Sequence, residues 1–140
     1  MSAALTLHAT TVAFEGRAIL IKGASGSGKS ALGLELLSIG ARLVADDQTV
    51  VTAEGPDLIA SCPPPLRGLI EARGLGLLRA PHDPQARVAL VVDLDQTEEA
   101  RLPPERSITI MGQPLSLVLG VRAAHFHVAL RHYVLYGRQA

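Results

Sequence analysis

The stretch Gly23-Ala24-Ser25-Gly26-Ser27-Gly28-Lys29-Ser30 constrains this chain more than any other. It follows the apolar run Ala18-Ile19-Leu20-Ile21 and precedes Ala31-Leu32-Gly33-Leu34-Glu35-Leu36-Leu37. Strand, glycine-rich loop and helix follow one another, which is the context a G-x-x-x-x-G-K-[ST] match requires. The glycines let the backbone fold tightly enough for successive N–H groups to converge on phosphate oxygens. A helix starting near Lys29 adds about half a positive charge at its N-terminus. Lys29 is placed to reach the β- and γ-phosphates, and the Ser30 hydroxyl to ligate Mg²⁺. The competing reading is a merely flexible glycine loop. A chance match in a chain of this composition is on the order of a few in a thousand, and the flanks lower that further.

Composition removes several classes. A length of 140 residues fits one domain over residues 1–140, and 48% hydrophobic residues are enough to bury a core. The 13 basic and 13 acidic residues balance, with no basic block or aromatic-rich basic face, so nucleic acid is not an expected partner. The single Cys62 forms no internal disulfide and reads as an inert, half-buried thiol, which fits a reducing cytoplasm. No stretch approaches eighteen uninterrupted apolar residues, so no membrane partner is expected, and the N-terminus does not have the pattern of a signal peptide.

In chain order, Leu5 to Phe14 and Arg17 to Ile21 read as a hairpin turned at Glu15-Gly16. His8 lies in or just before its first strand, where a lone histidine is either a satisfied structural residue or a catalyst. A helix over Ser30 to Ile39 ends at Gly40, a left-handed C-cap. Ala41 to Ala45 reads as a buried strand ending at Asp46-Asp47, where an open α/β sheet has its ligand crevice. The alternative is a turn. Alternation along a strand predicts that only one of these carboxylates faces the phosphates, the other holding a backbone or basic partner. Strands follow over Thr49 to Ala53 and Leu58 to Ser61, and Pro63-Pro64-Pro65 breaks regular structure. In Glu71-Ala72-Arg73-Gly74-Leu75-Gly76, spacing puts Glu71 and Arg73 on one face, with glycines permitting close approach; a surface ion pair with a glycine turn is the plainer reading.

Val88 to Asp93 is the strongest buried-strand signal, and its terminal acid competes with Asp47 for the Mg²⁺-holding role of a P-loop protein. Thr97 to Arg106 reads as a loop able to cover the site, Ile108 to Ile110 and Leu115 to Leu119 as strands, and residues from about Val121 to Tyr136 as a closing amphipathic helix. His125, His127 and His132 do not share one face, so they do not read as metal ligands.

The Walker loop, Leu43-Val44-Ala45-Asp46-Asp47 and Glu71-Ala72-Arg73-Gly74-Leu75-Gly76, in this order and spacing, resemble the catalytic domain of HPr kinase/phosphorylase, from about His8 to Tyr136. The resemblance implies an α/β P-loop fold of the phosphoenolpyruvate carboxykinase-like type, a mixed β-sheet with few helices. It implies ATP and Mg²⁺ as cofactors and transfer of phosphate to a serine of HPr, the phosphocarrier of the sugar phosphotransferase system, with phosphorolysis giving pyrophosphate. By the same resemblance Asp47 is the catalytic acid/base, His8 the family's histidine, and Glu71, with Asp46 and Ser30, holds metal beside Arg73. Arg101, then Arg106, would be the catalytic arginine of the following loop. The resemblance further implies a homo-oligomer, a hexamer in the family, for what reads as a short form without the N-terminal domain. Two other readings stay open: a P-loop small-molecule kinase or NTPase using Asp93 as its Mg²⁺ acid, and a nucleotide sensor without turnover.

Overall fold

Strand β1 (Ala4–Phe14) turns at Glu15-Gly16 into β2 (Arg17–Lys22), pairing Phe14 with Arg17 and Ala9 with Lys22. Both turn residues have positive φ, 50° and 77°, as a two-residue turn that follows strand twist requires. The structure, a computed structural model, describes residues 3–140. β2 delivers the glycine loop to helix α1 (Lys29–Ser38), after which Gly40 at φ 104° releases the chain into β3 (Arg42–Ala45). β3 and β4 (Gln48–Glu54) both run antiparallel along β1, with Ala45 opposite Thr11 and Gln48 opposite His8. Asp46-Asp47 therefore lies within one nearly continuous ribbon, and Ala9 N–H donates to the Asp47 carbonyl at 3.1 Å. The sequence places the same pair at a strand end.

β5 (Asp57–Ser61) pairs with β4, and the long β8 (Gln85–Thr97) pairs with β5 on one edge and in parallel with β2 on the other. The path β2-β1-β4-β5-β8 thus returns to β2 and closes a ring. Every strand of that ring contributes to one buried cluster, which contains Leu20, Val51, Leu58 and Val91 and no helical residue. Ala9, Ala13, Ala18, Ala60 and Ala86 belong to it because a small ring leaves little room for side chains. The alternate residues Val12, Ile19, Ile21, Leu90 and Val92 face outward into a second cluster with Leu32 and Leu36 of α1. Burial of each such leucine stabilises the fold by about 1.5–3 kcal/mol. β8 is apolar without interruption because both its faces are covered, Val88 and Val91 facing the inner cluster and Leu90 and Val92 the outer one, with a register shift between Val88 and Leu90.

β9 (Arg106–Ile110) and β10 (Gln113–Gly120) form a hairpin, and β10 lies parallel to β8. Lys22 of β2, Asp93 of β8 and Leu119 of β10 are level across three parallel neighbours, whose C-terminal ends open on one side. β6 (Leu69–Ala72) and β7 (Gly76–Arg79) form a separate two-stranded ribbon after a 3₁₀ turn at Pro64–Leu66. α2 (Phe126–Tyr136) closes the chain and buries Leu130 against the outer cluster. It begins later than the apolar pattern predicts, because residues 121–125 are consumed in turning off the end of β10.

Cys62 is more buried than expected, 4% exposed. Burial pushes its thiol up, Arg67 opposing and Asp46 adding to that shift. Among the described residues, no helix is long and apolar enough to cross a membrane.

Candidate active site

The glycine loop is built around two constraints. A Cβ on Gly23 would stand 2.5 Å from Ser27 Oγ, so only glycine lets the loop close there. Gly28 forms the N-cap of α1 at φ 99°, with no side chain capping the helix. The first N–H groups of α1 are therefore left for an anion. Lys29, only 6% exposed, folds back so that Nζ donates to the Ala24 carbonyl and to His8 Nε2, both at 3.1 Å.

His8 stands in the middle of β1, and its Nδ1 lies 3.1 Å from Asp47 Oδ1. An ammonium has only protons to offer, so His8 Nε2 accepts from Lys29 and Nδ1 carries the proton that faces Asp47. Lys29 is hydrogen-bonded to His8, His8 stands at ion-pair distance from Asp47, and the Asp47 carboxylate is 62% exposed.

Asp46 is the opposite kind of acid, 8% exposed and fully engaged. Its Oδ1 accepts from Thr10 Oγ1 at 2.8 Å and Ser30 Oγ at 2.7 Å, and its Oδ2 from the Glu71 N–H at 2.8 Å. One carboxylate thus ties together β1, α1 and the β6–β7 ribbon. It holds a backbone N–H, as alternation predicts for one of the pair, yet it also reaches the phosphate loop. Both carboxylates approach that loop because Asp47 adopts φ 65°, left-handed backbone that breaks strand alternation. Of the two, only Asp47 lines the cleft where phosphates would lie, while Asp46 is buried on its hydroxyl and backbone partners.

These residues surround a cleft of about 680 Å³ lined by Gly26, Lys29, Ser30, Asp47, Glu71 and Arg73. Ser25 and Gly28 also line it, whereas Ser27 faces a third cleft beyond α1. Gly23 and Ala24 lie on the far side of the loop, and the Ala24 N–H is already bonded to Asp95 Oδ1 at 2.9 Å. Ala24 is thus set apart from the loop's other candidate phosphate ligands. Ser30, Glu71 and Asp46 offer hard oxygen donors near the cleft, a set that suits Mg²⁺ held by few protein ligands, phosphates and water. Among the described residues no group of three or more His, Cys, Asp or Glu is arranged around a metal site.

Asp93 is placed for structure. It is 5% exposed, lies 3.3 Å from Lys22 Nζ, and accepts from Gln96 Nε2 and the Asp95 N–H, both at 2.9 Å. Burial pushes its carboxyl up, but the bonds from Gln96, Asp95 and Lys22 outweigh burial and hold it below the usual range. A carboxyl lowered by folding stabilises the native state fully above about pH 4 and loses that contribution as pH falls. Asp93→Asn is expected to cost about 1–3 kcal/mol at pH 7 and to flatten the acid side of the stability profile, with nucleotide binding retained. Urea melts at pH 7 and pH 3.5 check this; undiminished stability with lost nucleotide binding would return Asp93 to the site.

The structure does not bring Arg101 into the cleft. It is exposed in the loop after β8 and, among the described residues, lines none of the three clefts around the glycine loop. Arg106, the second candidate, is held by both oxygens of Glu98 at 3.0 and 3.1 Å. The guanidinium that does line the cleft is Arg73. Thr10 and Asp95 were not anticipated from sequence; the signals were a threonine pair inside an apolar strand and a second acid two residues after Asp93.

A glycine loop between a parallel strand and a helix, with acids across the cleft from its lysine and serine, defines a P-loop protein built on a mixed sheet. The HPr Serine kinase C-terminal domain family model matches residues 1–106, and the chain belongs to that family. It is 39% identical over 125 residues to HPr kinase/phosphorylase of Burkholderia lata, and equally to that of Burkholderia cenocepacia. Those alignments cover 81% of this chain but only 39% of each relative, so the chain spans about two fifths of their length. The solved structure of the Hpr(Ser) kinase/phosphatase from Coxiella burnetii superposes with a TM-score of 0.80 at 26% identity, covering 93% of both chains.

Proposed function

We propose that this chain is a Mg²⁺- and ATP-dependent serine kinase module acting on the phosphocarrier HPr or an HPr-like protein. The observation that carries the reading is the row of Lys29, His8 and Asp47, which puts an exposed carboxylate in the cleft beside a phosphate loop. Family membership supplies the acceptor. Asp47 takes the proton of the acceptor serine as its oxygen bonds to the γ-phosphorus and the bond to the ADP oxygen breaks. His8 holds Asp47 in place and passes Lys29 no proton, since the lysine donates to it. Lys29 and the free N–H groups of α1 grip the phosphates, and Arg73 adds positive charge where the transferring group would lie. A bound Mg²⁺ would neutralise phosphate charge, with Ser30, Glu71 and Asp46 as the residues to hold it. In the reverse sense inorganic phosphate attacks phosphoserine, pyrophosphate forms, and Asp47 returns the proton to the serine oxygen.

Incubation with labelled ATP, Mg²⁺ and HPr is expected to give phosphoserine on HPr. ATP binding or hydrolysis without phosphoserine would overturn the acceptor assignment. The position of Asp93, bonded to Lys22 and Gln96, disfavours the NTPase reading that depends on it.

A further inference from the structure

We infer that the nucleoside of the bound nucleotide, a purine and its ribose, lies in the cleft between α1 and the turn after β10, against Phe126. This rests on the phosphate-loop reading above and extends it to the part of the nucleotide that does not react.

Three clefts adjoin the loop, and their connections decide between them. The acid-lined cleft holds Asp47, Glu71 and Arg73 and so takes the transferring end of the phosphate chain. An apolar cleft of about 520 Å³ lies on the other side of the loop, lined by Leu5, Leu7, Ile108 and Met111. It shares no lining residue with the acid-lined cleft, and Lys29 lies bonded to Ala24 and His8 between them. The Ala24 N–H on that side of the loop is already bonded to Asp95. The third cleft, about 280 Å³, shares Gly28 and Ala31 with the acid-lined one. A chain of phosphates over the first turn of α1 therefore leads past Gly28 and Ala31 into the third cleft. A Cβ on Gly28 would meet nothing within 4 Å, so the passage is open.

The third cleft also has the composition a base needs. It lies toward the C-terminal ends of β8, the parallel neighbour of the loop-bearing strand, and of β10, which runs parallel beside β8, where open α/β sheets bind their ligands. Leu94, Val121 and Ala123 give it apolar walls and Phe126 supplies an aromatic ring. At its rim His127 Nδ1 lies 3.5 Å from Glu35 Oε2, and Glu35, 55% exposed, retains acceptor capacity for an N–H or hydroxyl of the nucleoside. A few polar groups around an apolar slot is the usual form of a small-molecule subsite.

The test separates the nucleoside from the phosphates by measuring ATP and inorganic tripolyphosphate, each with Mg²⁺, by isothermal titration. Wild type is expected to bind ATP more tightly than tripolyphosphate. Phe126→Ala and the slot-filling Ala123→Trp are expected to weaken ATP by roughly 5- to 150-fold, the range of base–aromatic stacking, with tripolyphosphate affinity unchanged. Ala123 lies on a partly exposed turn, so that variant serves if Phe126→Ala unfolds. Equal wild-type affinity for the two ligands, or ATP weakened by Leu5→Trp in the apolar cleft and not by Ala123→Trp, would overturn the inference and leave the phosphate site standing. Binding of neither ligand by wild type would overturn both.

Discussion

Asparagine at position 47 is expected to lower phosphoryl transfer to HPr by about 10²–10⁴-fold, the usual share of a general base. Nucleotide affinity should stay within a few-fold. The amide has the shape of the carboxylate and keeps an oxygen beside His8 Nδ1, and the Lys29–His8 hydrogen bond is untouched. What is lost is a group able to accept a proton from the acceptor serine. Single-turnover transfer, measured beside ATP affinity, checks this; transfer close to wild type would remove Asp47 from the chemistry.

Asp46→Asn should fail differently, although the two residues are adjacent. Its carboxylate accepts three hydrogen bonds, from two hydroxyls on one oxygen and from the Glu71 N–H on the other. An amide can keep the hydroxyls only by aiming its own N–H at that of Glu71. Two donors facing each other in a buried site are expected to cost about 1–3 kcal/mol of stability. The cost should appear in urea unfolding without any ligand, together with a raised Mg²⁺ requirement, because Ser30 and Glu71 both lose their anchor. A variant as stable as wild type would show that Asp46 does not tie these elements together. The pair therefore predicts one loss confined to chemistry and one shared between chemistry and folding.

The contrast between these neighbours was only half legible in the chain. The glycine loop, the first hairpin and the buried β8 run could be read because each depends on local chemistry: glycine at tight turns, apolar residues at strand period, an uninterrupted run where a strand is covered on both faces. Two acids in sequence read equally well as a turn or a strand end. Only the pairing of β3 and β4 with one long β1 shows them inside a ribbon, and only the left-handed φ of Asp47 shows how both reach the loop. Composition suits a helix from Val121, whereas the end of β10 dictates a turn and α2 starts at Phe126. The resemblance points to Arg101 by its place in the chain order, which says nothing about where an irregular loop points. Thr10 is a donor to Asp46 across 36 residues, a separation that no local pattern encodes.

The β6–β7 ribbon has no ladder in common with the main sheet, yet its Glu71 N–H is bonded to the same carboxylate that accepts from Ser30. Its tip carries Leu75 and Leu77, 80% and 62% exposed. The ribbon thus frames the cleft from the side opposite the phosphate loop, with Leu75 on its lining and Asp46 joined to both. Ile70 packs the same ribbon against α1, so one wall of the cleft is held by a polar tie and an apolar one.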